Sequence, residues 1–431
     1  MGSELMPASI KKQPWKIDHF STLDANQGQR VTLEVVEVYR NGKPSGTTTG
    51  PADWGPVVLM VSGQSLPAQS TFDEWATYLA DKGAHVFIMN FQGFGGSTRP
   101  DVMDDPFNAK RDDLAKLRPS GTAGPPLVDD PYRYKRWLSD SDTEMAELWS
   151  VLNWLSTKET QKVNIIGYSA AAFLVGPSAM MWPQIVDRLF LGAPIFPPAG
   201  LGNASAAETF ATAHPERFGF PLNIQSKHDT QKQFEDDQSI GAAPPGVASN
   251  WPTTLNPIWS GILTPTIGAP ADEKAYDWGA LVDGVLRYPT RLWWGWNEAT
   301  VKTDTYLGDE IPVCIVYGES DSQAISRKTD SSGKLTIDPI IDAAWTMTPL
   351  HGGPPFSCTR LYDDIQGLNR KLMIRMPKTG HFMPWEHLND VLFEYSWEWI
   401  DNGQIVDSST ASFKDGSFEL DENTKKLSPV P

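Results

Sequence analysis

The chain has 431 residues, 40% hydrophobic and 21% charged, with a formal net charge of −17. That is ample for a large core in one large or two ordinary domains. So acidic a surface repels nucleic-acid phosphates and anionic membranes, and neither is expected as a partner.

Taken in chain order, "MGSELMPASIKKQPW" lacks the apolar stretch of a secretory signal, and the compartment stays open between cytoplasmic and secreted with a signal already removed. "RVTLEVVEVYRNG" alternates apolar and polar residues and predicts a strand that turns at Asn41-Gly42. "GPVVLMVSG" is a continuous β-branched run suited to a strand buried on both faces. "FDEWATYLADKG" predicts an amphipathic helix with Trp75, Tyr78 and Leu79 on one face and Gly83 as C-cap. "AHVFIMNFQGFG" is the next buried strand, and strand–helix–strand order predicts parallel pairing.

Residues 98–138 are rich in Pro, Gly and Asp and read as an excursion over the surface. "SDSDTEMAELWSVLNWLSTKE" is a helix, capped by Ser141 or Asp142, with an apolar stripe of Met145, Leu148, Trp149, Leu152 and Leu155. "KVNIIGYSAAAFLVG" predicts strand, tight turn and helix, and "VDRLFLGAP" another buried strand. The apolar run from Ala170 to Trp182, broken by Gly176 and Pro177, is too short to span a bilayer.

Between residues 197 and 308 the pattern changes to short helical pieces rich in Pro, Gly and Trp, with no strong strand. A structureless loop of that length is implausible, so the segment reads as an inserted cap, or lid, that carries Trp251, Trp259, Trp278, Trp293, Trp294 and Trp296. Most of these are expected to pack the cap onto the sheet. The sequon Asn203-Ala204-Ser205 matters only in a eukaryotic secreted protein. "IPVCIVYGESD" and "RKLMIRMPKTGH" restore the buried-strand pattern, "HLNDVLFEYSWEWIDNG" is a closing helix, and residues 404–431 form a polar, loosely held tail. Of the two cysteines, Cys314 falls in a buried strand and Cys358 in a loop. They make no disulfide framework and no C-x-x-C zinc motif, and a bond between them is not expected.

The chemistry gathers at strand ends. Ser169 follows "VNIIGY" and precedes a helical run, with small residues Gly167 and Ala171 on either side, where the nucleophile elbow G-x-S-x-G has glycine at the second of these. A serine in a turn is also common for no catalytic reason. Asp321 follows "PVCIVYG" and can orient a histidine. Glu319 competes with it, and a solvated acidic loop is the plain alternative. His381 in "KTGHFMPWEH" alone among the seven histidines has a strand and a glycine-bearing loop before it and a helix after it. A serine hydroxyl needs a base in hydrogen-bond reach, an acid to orient the base and donors for the oxyanion. The order Ser, Asp, His, each past a strand, meets the first two needs in the arrangement of α/β-hydrolases.

On these residues the chain resembles the α/β-hydrolase fold superfamily over roughly residues 55–200 and 310–402, of the kind with a cap inserted before the acid-bearing strand. "HVFIMNFQGFGGSTRP" is similar to the family's D-x-R-G-x-G-x-S segment, with Asn90 and Gln92 in place of the usual acid and base, and "GHFMPWEH" resembles its terminal histidine motif. The resemblance implies a mostly parallel central sheet flanked by helices, with Ser169 as nucleophile, Asp321 as orienting acid and His381 as general base. It also matches "SGQS" to the family's H-G-x turn, which makes the backbone N–H groups of Gln64 and Ala170 the oxyanion donors, with Ser62 where histidine is usual.

The expected function is therefore a serine hydrolase that cleaves a carboxylic ester of an apolar or ring-bearing small molecule through an acyl-enzyme, with no metal or organic cofactor and with Tyr168 as a wall of the substrate site. An acyltransferase, thioesterase, lactonase, amidase or C–C bond hydrolase would carry the same residues, and a non-catalytic binding protein on the same fold is the third reading. The oligomeric state is open.

Overall fold

The computed structural model describes residues 9–41, 55–105, 108–109, 136–200, 221–231, 259–260, 285–321, 327–329, 335–337 and 356–430. Its strands in chain order are β1 (Ile10–Phe20), β2 (Arg30–Arg40), β3 (Val57–Val61), β4 (His85–Asn90), β5 (Ser139–Asp140), β6 (Val163–Tyr168), β7 (Val186–Gly192), β8 (Leu222–Ser226), β9 (Val285–Pro289), β10 (Arg291–Leu292), β11 (Val313–Gly318), β12 (Arg327–Thr329), β13 (Leu335–Ile337), β14 (Lys371–Met376), β15 (Ile405–Val406), β16 (Ser412–Phe413), β17 (Gly416–Leu420) and β18 (Leu427–Pro429). The helices that matter here are α1 (Ala68–Lys82), α2 (Ser141–Lys158), α3 (Ala172–Met181), α4 (Cys358–Asp364) and α5 (Asn389–Asn402).

Ten strands form one sheet in the order β1-β2-β4-β3-β6-β7-β11-β14-β17-β18. Every neighbouring pair from β4 to β17 is parallel, and the sheet is antiparallel only toward its two edges. The inner strands β3, β4, β6 and β11 are buried at every residue, which explains their unbroken apolar runs: both faces are covered by helices. Helix α1 packs on α5, where Trp75 stacks on Phe393 at 5.4 Å and donates to Ser396 Oγ at 2.7 Å. Helices α2 and α3 pack on each other. The sheet order reverses between β3 and β6, and the crevice beyond the C-terminal ends at such a reversal is where open parallel sheets bind ligands.

Four expectations need correction. The N-cap of α2 is Asp140, whose carboxylate accepts the Thr143 N–H at 2.9 Å. Ser141 is instead turned to Trp294, donating to its carbonyl and accepting its N–H. Cys358 lies not in a loop but at the start of α4, capped by Ser357, and both cysteines are free and buried. Three strands do occur among the described residues between 197 and 308: β8 and β9 form an antiparallel pair outside the main sheet, and the short β10 pairs in parallel with β5.

The C-terminal residues are not loose, since β17 extends the main sheet beside β14 and β18 closes on β17. Leu420 is buried there, and the Asp407 side chain holds the Ser409, Ala411 and Leu427 N–H groups. Trp293, Trp294 and Trp296 are buried as packing residues. Trp293 stacks on Phe173 of α3 at 5.2 Å, and Trp296 fills the space that Gly176 leaves open. Trp251, Trp278, the sequon and most of residues 98–138 and 197–308 lie outside the described residues.

Candidate active site

Strand β6 delivers Ser169 at the head of a sharp turn. Its φ of +59° is in the left-handed region, a strain of about 1–2 kcal/mol for a residue with a Cβ. The turn is held by the Ile195 N–H, which donates to Ser169 O at 3.1 Å, and it runs through Ala171 straight into α3. Gly167 is required by contact: a Cβ there would stand 2.5 Å from Val175 on α3. Ala171 is buried at φ −57°, a helical conformation any residue adopts, so glycine is not demanded at that position. On the other side Gly63, past β3, comes so close that a Cβ would lie 2.7 Å from Ser169 Cβ.

The loops past β11 and β14 interlock. Gly318 sits where a Cβ would meet the Thr379 carbonyl at 2.2 Å, and Ser320 N–H donates to that same carbonyl at 2.8 Å. Glu319 accepts the Lys378 N–H at 3.0 Å and Glu386 accepts the Gly380 N–H at 2.6 Å, so both shape the loop that carries His381. This leaves Asp321, fully buried, facing the imidazole. His381 Nδ1 lies 2.9 Å and 3.0 Å from its two carboxylate oxygens, and His381 Nε2 lies 2.8 Å from Ser169 Oγ. With Nδ1–H donated to the Asp321 carboxylate, Nε2 accepts from the serine hydroxyl.

Tyr168 donates its hydroxyl to the His381 carbonyl, with the two rings 5.6 Å apart. It thus braces the histidine as well as lining the cavity. That cavity, about 60 Å³, is bounded by Ser62–Leu66, Tyr168, Ser169, His381 and Phe382, with Gln225 and Tyr288 contributed by the β8–β9 pair. Sheet order, elbow and the loops that meet at its mouth form one known architecture. The fold is that of the α/β-hydrolases. No family model matches the chain, and no curated protein matches it.

Among solved structures it is similar to a serine hydrolase from the polyaromatic-hydrocarbon-degrading bacterium Cycloclasticus zankles, at 11% identity over 91% of this chain and 98% of that one, TM-score 0.42. It is similar also to a thermophilic esterase from Thermogutta terrifontis, at 14% identity over 90% and 100%, TM-score 0.42. A meta-cleavage product hydrolase from Pseudomonas fluorescens matches at 12% identity over 90% and 97%, TM-score 0.44. Likenesses this distant carry neither a substrate nor a residue's role to this chain.

Where the hydrolase-like segments depart from the usual pattern, other contacts do the bracing. Ser62 Oγ donates across its turn to the Leu66 carbonyl at 3.2 Å. Asn90 Oδ1 accepts the Ala68 N–H at 3.0 Å, at the start of α1, and its amide donates to Glu34. Gln92 donates from its backbone at 2.9 Å and from its side chain at 2.7 Å to the two carboxylate oxygens of Glu147. Glu147 is wholly buried on α2, and burial pushes its pKa up to about 8, so it is mostly protonated at neutral pH.

One turn earlier on α2, Glu144 is buried too. It accepts Ser139 Oγ and Trp293 Nε1, each at 3.0 Å, and pairs with Arg291 Nε at 2.7 Å. Burial raises the Glu144 carboxyl and Arg291 opposes the shift. A guanidinium keeps its proton in a protein, so the two form an ion pair. Sequence reasoning missed this cluster. The available signal was a lone arginine inside the aromatic run "YPTRLWWGW". Among the described residues, no group of three or more His, Cys, Asp or Glu is arranged to hold a metal, and no helix is long and apolar enough to cross a membrane.

Proposed function

We propose that the chain is a serine hydrolase that cleaves a carboxylic ester of an apolar or ring-bearing small molecule through an acyl-enzyme. The observation that supports this reading is the unbroken relay from Ser169 Oγ through both nitrogens of His381 to Asp321, opening on a cavity rather than closing on other side chains. His381 Nε2 takes the Ser169 proton as the oxygen attacks the ester carbonyl, and Asp321 holds the ring and offsets the imidazolium charge. The tetrahedral oxyanion is received by the N–H groups of Gln64 and Ala170. His381 returns the proton to the departing alcohol. It then activates water by the same route, freeing the acid and restoring Ser169.

Leu66, Tyr168, Tyr288 and Phe382 on the cavity wall support an apolar or ring-bearing group near the scissile bond. In this reading residues 197–308 are a cap, of which the β8–β9 pair with Gln225 and Tyr288 is a described part.

A fluorophosphonate probe tests the mechanism. Wild-type protein should be labelled at Ser169 and Ser169→Ala should not be, with kcat on an aryl ester lower by several orders of magnitude. Failure of the folded wild-type protein to label removes the proposal. Aryl esters of graded acyl length, run beside a lactone, a thioester and an anilide, with and without an added alcohol acceptor, then decide bond type and acceptor.

A further inference from the structure

The buried guanidinium of Arg291 has three sides occupied. Its Nε pairs with Glu144 at 2.7 Å, its Nη1 donates to the Gly63 carbonyl at 2.8 Å, and its face lies 4.5 Å from the ring centre of Phe94 and 5.5 Å from that of Phe91. The Gly63 contact is the one with chemical consequence. Gly63 C=O and Gln64 N–H belong to one planar peptide unit, and in a trans peptide the two bonds point in opposite directions. A donor fixed on the carbonyl therefore fixes the direction of the N–H. A cationic donor also draws electron density toward the oxygen and makes that N–H a stronger donor.

We propose that Arg291 is a positioning residue for the oxyanion site, and that it aims and polarises the Gly63–Gln64 peptide from behind. The proposal rests on the hydrolase reading, in which Gln64 N–H receives the oxyanion.

The surroundings fit an arm built to hold one peptide. Gly63 packs on Ser169 too closely to carry a side chain, and Ser62 Oγ reaches the Leu66 carbonyl rather than the Gly63–Gln64 peptide. Gln64, next in line, is exposed on the cavity rim. Steering comes instead from β10, which pairs in parallel with β5: Arg291 lies opposite Ser139, and Leu138 N–H donates to Thr290 Oγ1 at 3.2 Å. The arginine is thus anchored through backbone to the entry of α2 and through its side chain to Glu144 on that helix. Arg291 has no place on the cavity wall and acts through the peptide alone.

Two variants test this. Arg291→Lys keeps a positive partner for Glu144 but cannot reach it and Gly63 together. Arg291→Met combined with Glu144→Gln removes both charges and leaves no orphaned ion. Losing one oxyanion donor outright costs about 100- to 1,000-fold in kcat. Losing only its aim should lower kcat on p-nitrophenyl acetate about 10- to 100-fold, with KM within about threefold. Fluorophosphonate labelling should still reach one equivalent per chain, at a rate reduced by the same factor as kcat.

A folded variant with kcat within threefold of wild type, or one with raised KM and unchanged kcat, overturns the proposal. Failure of both variants to fold also overturns it, by assigning Arg291 to the core. If wild-type protein itself neither labels nor hydrolyses the ester, the hydrolase reading has failed first, and the two failures are told apart.

Discussion

Two buried histidine–carboxylate pairs sit at opposite ends of the same sheet. His381 lies past the C-terminal end of β14, with Asp321 on one nitrogen and Ser169 on the other. His85 opens β4 at the other end, with Glu37 at 2.5 Å on Nε2 and Glu159 at 3.3 Å on Nδ1. Both rings are more than nine-tenths buried. Burial alone would lower the His85 pKa, but Glu159 and Glu37 together raise it, and Lys158 stands 3.8 Å from Glu37. A ring between two carboxylates is held as imidazolium and has no nitrogen left to accept a proton. A ring between a carboxylate and a hydroxyl keeps one. In the proposed hydrolase, what the second nitrogen meets is thus what separates a base from an internal brace.

The sharpest way to break this comparison is to make the same change at both ends. His381→Gln should lower kcat/KM by about 10⁴-fold or more with little change in Tm. His85→Gln should leave kcat within a few-fold and destabilise the fold by about 3 kcal/mol, because the two carboxylates lose the imidazolium between them. That loss should be largest at acidic pH: the raised His85 pKa gives stability that is full below about pH 6.5 and fades as pH rises through the folded value. A large loss of kcat in a folded His85→Gln protein would erase the distinction. Next in size is Gly63→Ala. Its methyl would press on Ser169 Cβ at 2.7 Å, and neither partner is a flexible side-chain end. Turnover should fall about 100-fold, read as kcat at saturating ester, and full activity would show that the loop yields freely.

Glu147 offers a comparison within one helix. Arg291 pairs with its neighbour Glu144, while among the described residues Glu147 accepts from Gln92, and burial pushes its pKa up to about 8. Between about pH 4.5 and 8 the folded chain keeps a proton there that the unfolded chain has released. Stability should therefore fall as pH rises, by at most about 1.4 kcal/mol per pH unit, and level off above 8. Glu147→Gln has no such proton. The difference between the two proteins should change by about 2 kcal/mol from pH 6 to 8, in urea unfolding at the two values. A parallel pH dependence in both would place the ionised form of Glu147 in the fold.

These clusters also mark the limit of what the sequence displays. The buried strands were legible because burial on both faces leaves an unbroken apolar run, and Ser169, Asp321 and His381 stood out because each follows such a run. Glu144 and Glu147 did not. In so acidic a chain, two glutamates on a helix look like a solvated face, and their burial depends on partners far away in sequence, Arg291 and Trp293 for Glu144 and Gln92 for Glu147. The β17–β18 extension was hidden for a related reason: an edge pair needs few apolar residues, and Leu420 and Leu427 alone do not stand out in a polar tail. Asp140 does not stand out as helix cap because Ser141 and Asp142 beside it are equally good cap formers, and Trp294 decides the matter by claiming Ser141.

The smallest expected effect concerns Tyr168, which the sequence places on a wall of the site. Its ring lies against His381 and edge-on to Phe72 at 6.3 Å, and its hydroxyl donates to the His381 carbonyl. Tyr168→Phe keeps both ring contacts and the shape of the cavity, and removes only the hydrogen bond that steadies the histidine loop. One such bond contributes about 1 kcal/mol, so kcat should fall about fivefold. KM for a small acetate ester should hardly move, since the wall is unchanged. A fall beyond about 100-fold would mean that the hydroxyl itself meets the reacting carbonyl, as a lost oxyanion donor would. A change in KM alone would return Tyr168 to the wall. The split between kcat and KM in this one variant therefore says whether the residue beside the serine serves the substrate or the base.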